Sequence, residues 1–295
     1  MDKKANIIMF LAILATSTGS IFAKAADAPA LVTAAYRLGL ASIVLVPWAM
    51  LHHREDIKGL TSKDWIYTVI SGGALAIHFA SWISALQYIS IASCVVLVNT
   101  SPLWVALAAP FITGDRIDKK TAMAISLAVV GAVIIGWGDF STGPDAWKGD
   151  GLALLGAISL TVYLLLGRKV RAKVSLMPYV AVCYGSAAAF LWVALMLSSL
   201  PVSGYSWHTW GALWGMALIP QILGHSAYNW ALRWVNPAVV AVMLLGEPIG
   251  SSVMAWAFFH EVPGPAIVLG GCFILIGIYM TQRNKVSPAP AKATL

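Results

Sequence analysis

Glu247 carries the first readable chemistry. It lies near the middle of an apolar stretch, Pro237 to Phe259, where a carboxylate costs roughly 2.5 to 3.5 kcal/mol to insert into a bilayer. Two roles are open to it. It lines a cavity, binding an ammonium group or exchanging a coupling proton, or it is a structural acid bonded near backbone carbonyls that Pro248 leaves without an N–H partner. His78 and His225 stand in two further apolar stretches. By helical spacing His78 shares a face with Trp82 and Ala85, and His225 shares one with Gln221, Tyr228 and Asn229. Such mixed polar and aromatic faces suit amino-acid-sized ligands, while the alternative for each histidine is a neutral imidazole bonded between helices. Thr16, Ser20 and Lys24 recur at intervals of four, Asn99 precedes Trp104, and Ser159 precedes Tyr163 by four. These groups either complete a cavity wall or let helices approach closely. The candidate substrate-binding set is therefore Glu247, His78, His225, Trp82, Asn99, Tyr163, Tyr228, Asn229, Thr16 and Ser20. Pro102 and Pro248, each removing one intrahelical hydrogen bond, are candidate hinges.

The elements that must hold these groups follow from hydropathy. Hydrophobic residues make up 59% of the 295 positions and charged residues 11%, with a mean hydropathy of +0.80. That is more apolar mass than a water-soluble core encloses. A spanning helix needs about 20 mostly apolar residues. Ten such stretches are expected: Asn6 to Ala23, Leu31 to Leu51, Trp65 to Leu86, Ile91 to Thr113, Thr121 to Trp137, Gly151 to Gly167, Leu176 to Leu200, Trp207 to Leu232, Pro237 to Phe259 and Pro265 to Thr281. The longest gaps, His52 to Asp64 and Gly138 to Asp150, hold thirteen residues each, leaving no room for a soluble domain. Lys3 and Lys4 before an apolar run imitate a signal peptide, but the run is long and further spans follow, so it reads as a retained first helix. Cys94, Cys183 and Cys272 show no metal-ligand spacing and read as packing residues; no cofactor is expected. The net charge of +7 belongs to membrane topology rather than to nucleic-acid binding.

With the N-terminus in the cytoplasm, sixteen of the nineteen basic residues fall on that side, Lys24 and Lys148 fall opposite, and Arg37 lies within a span. The positive-inside rule then places both termini in the cytoplasm. Arg37 is expected to snorkel to the outer interface or to pair with Asp27, in a structural or gating role. Trp207, Trp210 and Trp214 read as an interfacial belt. Setting residue n against n + 146 pairs Ala85-Leu86-Gln87-Tyr88 with Ala231-Leu232-Arg233-Trp234, Pro102 with Pro248, Asp115 with Glu261 and Gly131 with Gly277. Five spans per half is an odd number, so the second half must enter from the opposite side, which gives an inverted repeat and predicts alternating access about a central site.

Each half ends in a helix with a central proline, a short acidic turn and a Gly-rich helix. The elements are Ser101-Pro102-Leu103 leading to Gly114-Asp115-Arg116-Ile117, and Glu247-Pro248-Ile249 leading to His260-Glu261-Val262, with Ala34-Ala35-Tyr36-Arg37-Leu38 in the second span. This pattern resembles the EamA family of the drug/metabolite transporter superfamily, and within it bacterial amino-acid and metabolite exporters of the YddG type. The chain departs from it at Thr16-Ser17, where many members carry Trp-Gly, and at Asp115 in place of glutamate. The resemblance implies a multi-pass carrier of the cell (inner) membrane exporting small solutes, amino acids and aromatic ones among them.

The expected architecture is thus an all-α membrane protein: ten transmembrane helices as two inverted five-helix repeats, residues 1–138 and 151–282, around a central cavity, joined by a linker at 139–150 and followed by a cytoplasmic tail at 283–295. Expected partners are a small-molecule substrate and the lipid bilayer, with proton coupling open, no nucleic acid, and a monomer as a workable state. Export of another metabolite or drug is the alternative substrate reading. A channel is disfavoured because no filter-like re-entrant loop appears. The Gly136-Trp137-Gly138-Asp139 fragment imitates an intramembrane aspartyl protease, but no second intramembrane aspartate exists to face Asp139. Phosphorylated substrates would call for several cavity-facing Lys or Arg residues, so a zwitterionic or neutral solute fits better.

Overall fold

A computed structural model describes residues 3–89, 91–114, 117–137, 145–260 and 265–283. Among them every regular element is helical: α1 (Lys3–Ala25), α2 (Ala30–His52), the short α3 (Arg54–Lys58), α4 (Ser62–Ala85), α5 (Ile91–Val98), α6 (Ser101–Ile112), α7 (Lys119–Trp137), α8 (Ala146–Arg171), α9 (Leu176–Met196), α10 (Trp207–Met216), a π-helical segment (Ala217–His225), α11 (Ser226–Ala231), α12 (Pro237–Leu244), α13 (Glu247–Phe259) and α14 (Pro265–Arg283). Where ten spans were expected, six stretches are long and apolar enough to cross a membrane, while Ser101–Ile112 and Val268–Gly277 are apolar but shorter. Asp115, Arg116, Asp139, Glu261 and Val262, with half of the linker and nearly all of the tail, lie outside the described residues. The side chains of Phe111, Leu51 and Phe258, at 90%, 78% and 70% exposure, point outward from the bundle, as a hydrocarbon solvent permits.

Two of the expected continuous helices are instead broken. One chain segment ends α5 at Val98 and starts α6 at Ser101; the other ends α12 at Leu244 and starts α13 at Glu247. The two candidate hinge prolines thus stand at breaks rather than inside continuous helices. Pro102 and Pro248 occupy the first turn of the second piece, where a missing N–H costs nothing. The turns before them are closed by Thr100 N donating to Leu97 O at 3.1 Å and Gly246 N donating to Met243 O at 3.0 Å. A third irregularity is the π segment, which contains Pro220. A proline here has no N–H to return to the preceding turn and its ring crowds the carbonyl there, so the turn widens.

Packing joins helices in antiparallel pairs, two of them between elements related by the 146-residue offset. The most extensive partners are α4 with α8, α7 with α14 and α2 with α9. A Cβ at Gly131 would stand 2.5 Å from Gly270 O, and one at Gly277 would stand 2.8 Å from Ala124 O. Between α2 and α9, Gly39 faces the Trp192 indole at 2.7 Å and Gly185 faces Val46 at 3.6 Å on the same measure. Each contact becomes its partner when residue numbers are shifted by 146. The bounds of α7 shifted in that way are those of α14, and the bounds of α5 become those of α12. Cys94 and Cys183 are buried packing residues as expected, whereas Cys272 is exposed. Trp207 is 91% exposed, while Trp210 turns its ring edge-on to Tyr36 at 4.9 Å.

Candidate functional site

A small cavity opens where α2, α4, α5, α8, the π segment and the α12–α13 break converge. Its wall is made by Arg37, His78, Phe79, Trp82, Val95, Val98, Asn99, Leu160, His225, Leu244 and Glu247. Five predicted residues, Glu247, His78, His225, Trp82 and Asn99, are thereby brought to one surface.

Each is placed by a local cause. His78, Phe79 and Trp82 reach the cavity from one α4 face, with residues 78 and 82 a helical turn apart. His78 Nδ1 lies 2.9 Å from Gly156 O. Because a carbonyl only accepts, Nδ1 carries the proton and Nε2 is left as the acceptor of the neutral ring. The two histidine rings stand 6.5 Å apart, with the Phe79 ring 5.2 Å from His225. Asn99 sits in the α5–α6 break, its Nδ2 donating to Val95 O at 2.7 Å. Glu247 opens α13, where a negative charge is favoured by the helix dipole. Its backbone carbonyl accepts from Ser17 Oγ at 3.3 Å.

Arg37 corrects the expectation of snorkelling. It is 2% exposed and lies on the cavity wall, its Cζ 3.8 Å above the Phe79 ring, a cation–π contact. Its Nε donates to Gln221 Oε1 at 2.8 Å. Gln221, missed as a site residue, is fully buried and its Nε2 has no hydrogen-bond partner; His225 Nδ1 has none either. The signal for both departures was Pro220, the residue that interrupts an otherwise regular helix. Among the described residues the ion pairs within 4 Å are His53 with Asp56, Lys58 with Glu55 and Lys148 with Asp145. Arg37 and Glu247 therefore share a cavity without touching each other.

The other predicted residues stand in the packed wall behind it. Thr16 Oγ1 and Tyr228 OH are 2.8 Å apart. Asn229 Nδ2 donates to Tyr163 OH at 2.6 Å and to Tyr184 OH at 3.0 Å, and the Tyr163 ring lies 6.2 Å from His225. Ser20 is buried with its hydroxyl unpartnered. Among the described residues no three His, Cys, Asp or Glu side chains gather as a metal set.

Apolar helices around a small cavity that holds separated charges define a multi-pass membrane protein handling small solutes. Comparison with known proteins makes the class specific. The model of the EamA-like transporter family matches residues 3–137 and again 147–283, and the chain belongs to that family; it is a membrane transporter, which is not an enzyme class. An uncharacterized transporter of Archaeoglobus fulgidus is 24% identical over 97% of this chain and 99% of its own. The uncharacterized transporter YyaM of Bacillus subtilis is 25% identical over 83% and 82%, and the biotin transporter of Salmonella typhimurium 21% over 87% and 84%. A solved crystal structure, 19% identical, superposes with a TM-score of 0.78 over 95% of this chain and 96% of its own, which shows a shared fold.

Proposed function

We propose that the protein exports zwitterionic amino acids, aromatic ones included, from the cytoplasm across the inner membrane by alternating access between two inverted five-helix halves. The observation that carries this reading is the pair of opposite charges, Arg37 and Glu247, lining one cavity without contact. A buried charge must find a partner, and a zwitterion brings both. The substrate ammonium binds Glu247 with His78 Nε2 as a second acceptor, its carboxylate meets Arg37, and its side chain lies against Phe79, Trp82, Val98 and Leu160. The doubled family match and the antiparallel α2–α9 and α7–α14 contacts support ten spans in two inverted halves. The sixteen-to-two charge bias supports cytoplasmic termini. The breaks before Pro102 and Pro248 are the hinges, since neither junction has a continuous helical ladder to bend.

Labelled phenylalanine flux in proteoliposomes, with and without a pH gradient, tests the reading. Wild type carries phenylalanine and Glu247→Gln carries it on the order of 100-fold more slowly; a residual flux in the variant that no longer responds to the gradient makes this carboxylate the coupling group. Absence of amino-acid flux in wild type sinks the substrate assignment. A second reading, a carboxylate with an uncharged far end, is favoured by the relatives described as biotin transporters. Under it biotin flux survives Glu247→Gln.

A further inference from the structure

We infer that Gln221 is a positioning residue that presents Arg37 to the cavity as an end-on receptor for the substrate's carboxylate. The inference rests on the reading of Arg37 as the carboxylate partner. A guanidinium offers two forked edges, one made by Nε with an Nη and one made by the two Nη groups. The first edge is taken, because Arg37 Nε donates to Gln221 Oε1 at 2.8 Å. The flat face is taken as well, by Phe79 at 3.8 Å. What remains is the Nη edge of a side chain that lines the cavity.

The π segment is what makes this possible. Gln221 follows Pro220 directly and lies in the widened turn, and it is fully buried. It reaches across to α2, whose Arg37 is 184 residues away in sequence. Gly19 of α1 also bears on the arrangement: a Cβ there would stand 3.6 Å from Arg37 Nη1 and 3.7 Å from Pro220 and from Trp82. Backbone on one side, aromatic ring on another and amide at Nε leave the guanidinium little rotational freedom. Such a fork loses less on binding than a free one. The ligand class is a monoanionic planar carboxylate.

The test uses full-length protein in proteoliposomes with three probes: phenylalanine, biotin, and phenylalaninamide, which keeps the ammonium but has no carboxylate. Gln221→Met removes the acceptor at similar volume, and Gln221→Asn draws it back by one methylene. For either variant the KM for the carboxylate probes that wild type carries is expected to rise about tenfold, the scale of one hydrogen bond to a charged group, with kcat little changed. Flux of phenylalaninamide stays at the wild-type level, which also shows that the variant is folded. Equal losses for amide and carboxylate probes, or no change in KM, would overturn the inference. If wild type carries biotin and not phenylalanine, and Gln221→Met raises the KM for biotin, the amino-acid reading falls and this inference stands. If wild type carries neither carboxylate probe, both fall.

Discussion

The two broken helices have the same backbone plan and different chemistry. Asn99-Thr100-Ser101-Pro102 and Leu245-Gly246-Glu247-Pro248 occupy corresponding positions, and in both a helix restarts with proline in its first turn. The first junction contributes a neutral amide to the cavity, the second a carboxylate. The same contrast separates α4, helical throughout, from its counterpart in α10, the π segment and α11. Shared geometry builds the cavity; departures from the shared pattern in the second half supply a charge and a positioned amide.

Four experiments break or sharpen this contrast. The largest effect belongs to Glu247→Gln, expected to lower phenylalanine flux on the order of 100-fold through loss of a charge-assisted contact; Ser101→Glu added to it should not restore flux, and restoration would show the junctions to be interchangeable. Next is Gly250→Ala. Its Cβ would run into the Ser17 side chain across the α1–α13 contact, so stability should fall by about 1 to 3 kcal/mol, read by thermal unfolding. The corresponding residue in the first half is Trp104, 38% exposed, and Trp104→Ala should do far less. Third, Pro220→Ala allows α10 to continue regularly into α11; flux should fall about tenfold as Gln221 and His225 turn away, without a lower melting temperature. A variant with unchanged flux would make the π segment incidental.

The smallest effect lies outside the membrane. Asp118 Oδ1 accepts from Thr121 N at 2.7 Å at the start of α7. The Thr121 hydroxyl and amide hold its carboxyl below the ordinary aspartate range. A depressed value stabilises the fold above the unfolded pKa, about 3.9, and that contribution is lost as pH falls through the folded value. Asp118 is exposed, so Asp118→Ala should cost about 1 kcal/mol or less at neutral pH. The difference between variant and wild type should vanish in acid, as read by unfolding at both pH values.

Apolar length and the 146-residue offset were legible because both are properties of residue types along the chain. The helix breaks were not, since a proline inside an apolar run marks either a kink or a fresh start and only the hydrogen bonds around Thr100 and Gly246 distinguish them. That the rings of His78 and His225 stand 6.5 Å apart comes from packing between remote segments, which residue types along the chain do not reveal. Arg37 was misplaced because its partner, Gln221, is remote in sequence and is turned inward by a widened turn. Asn229 and Tyr163 drew attention as polar and aromatic groups on plausible faces, yet the amide protons of Asn229 are spent on tyrosine hydroxyls. Composition cannot separate a polar group facing a ligand from one facing a neighbour.

The glycine contacts between α7 and α14 carry a consequence for the history of the chain. Residue 131 meets 270, and residue 277 meets 124, so the seam is self-complementary in the way of an isologous dimer. A single unit of the family bearing this face needs no second design to associate with a copy of itself. Once two copies are joined in one polypeptide, the seam must remain matched, but every position away from it is free to diverge. Glu247 opposite Ser101, Gly250 opposite Trp104, and a π turn opposite a regular helix are divergences of that kind, and they lie where the solute and its helices meet.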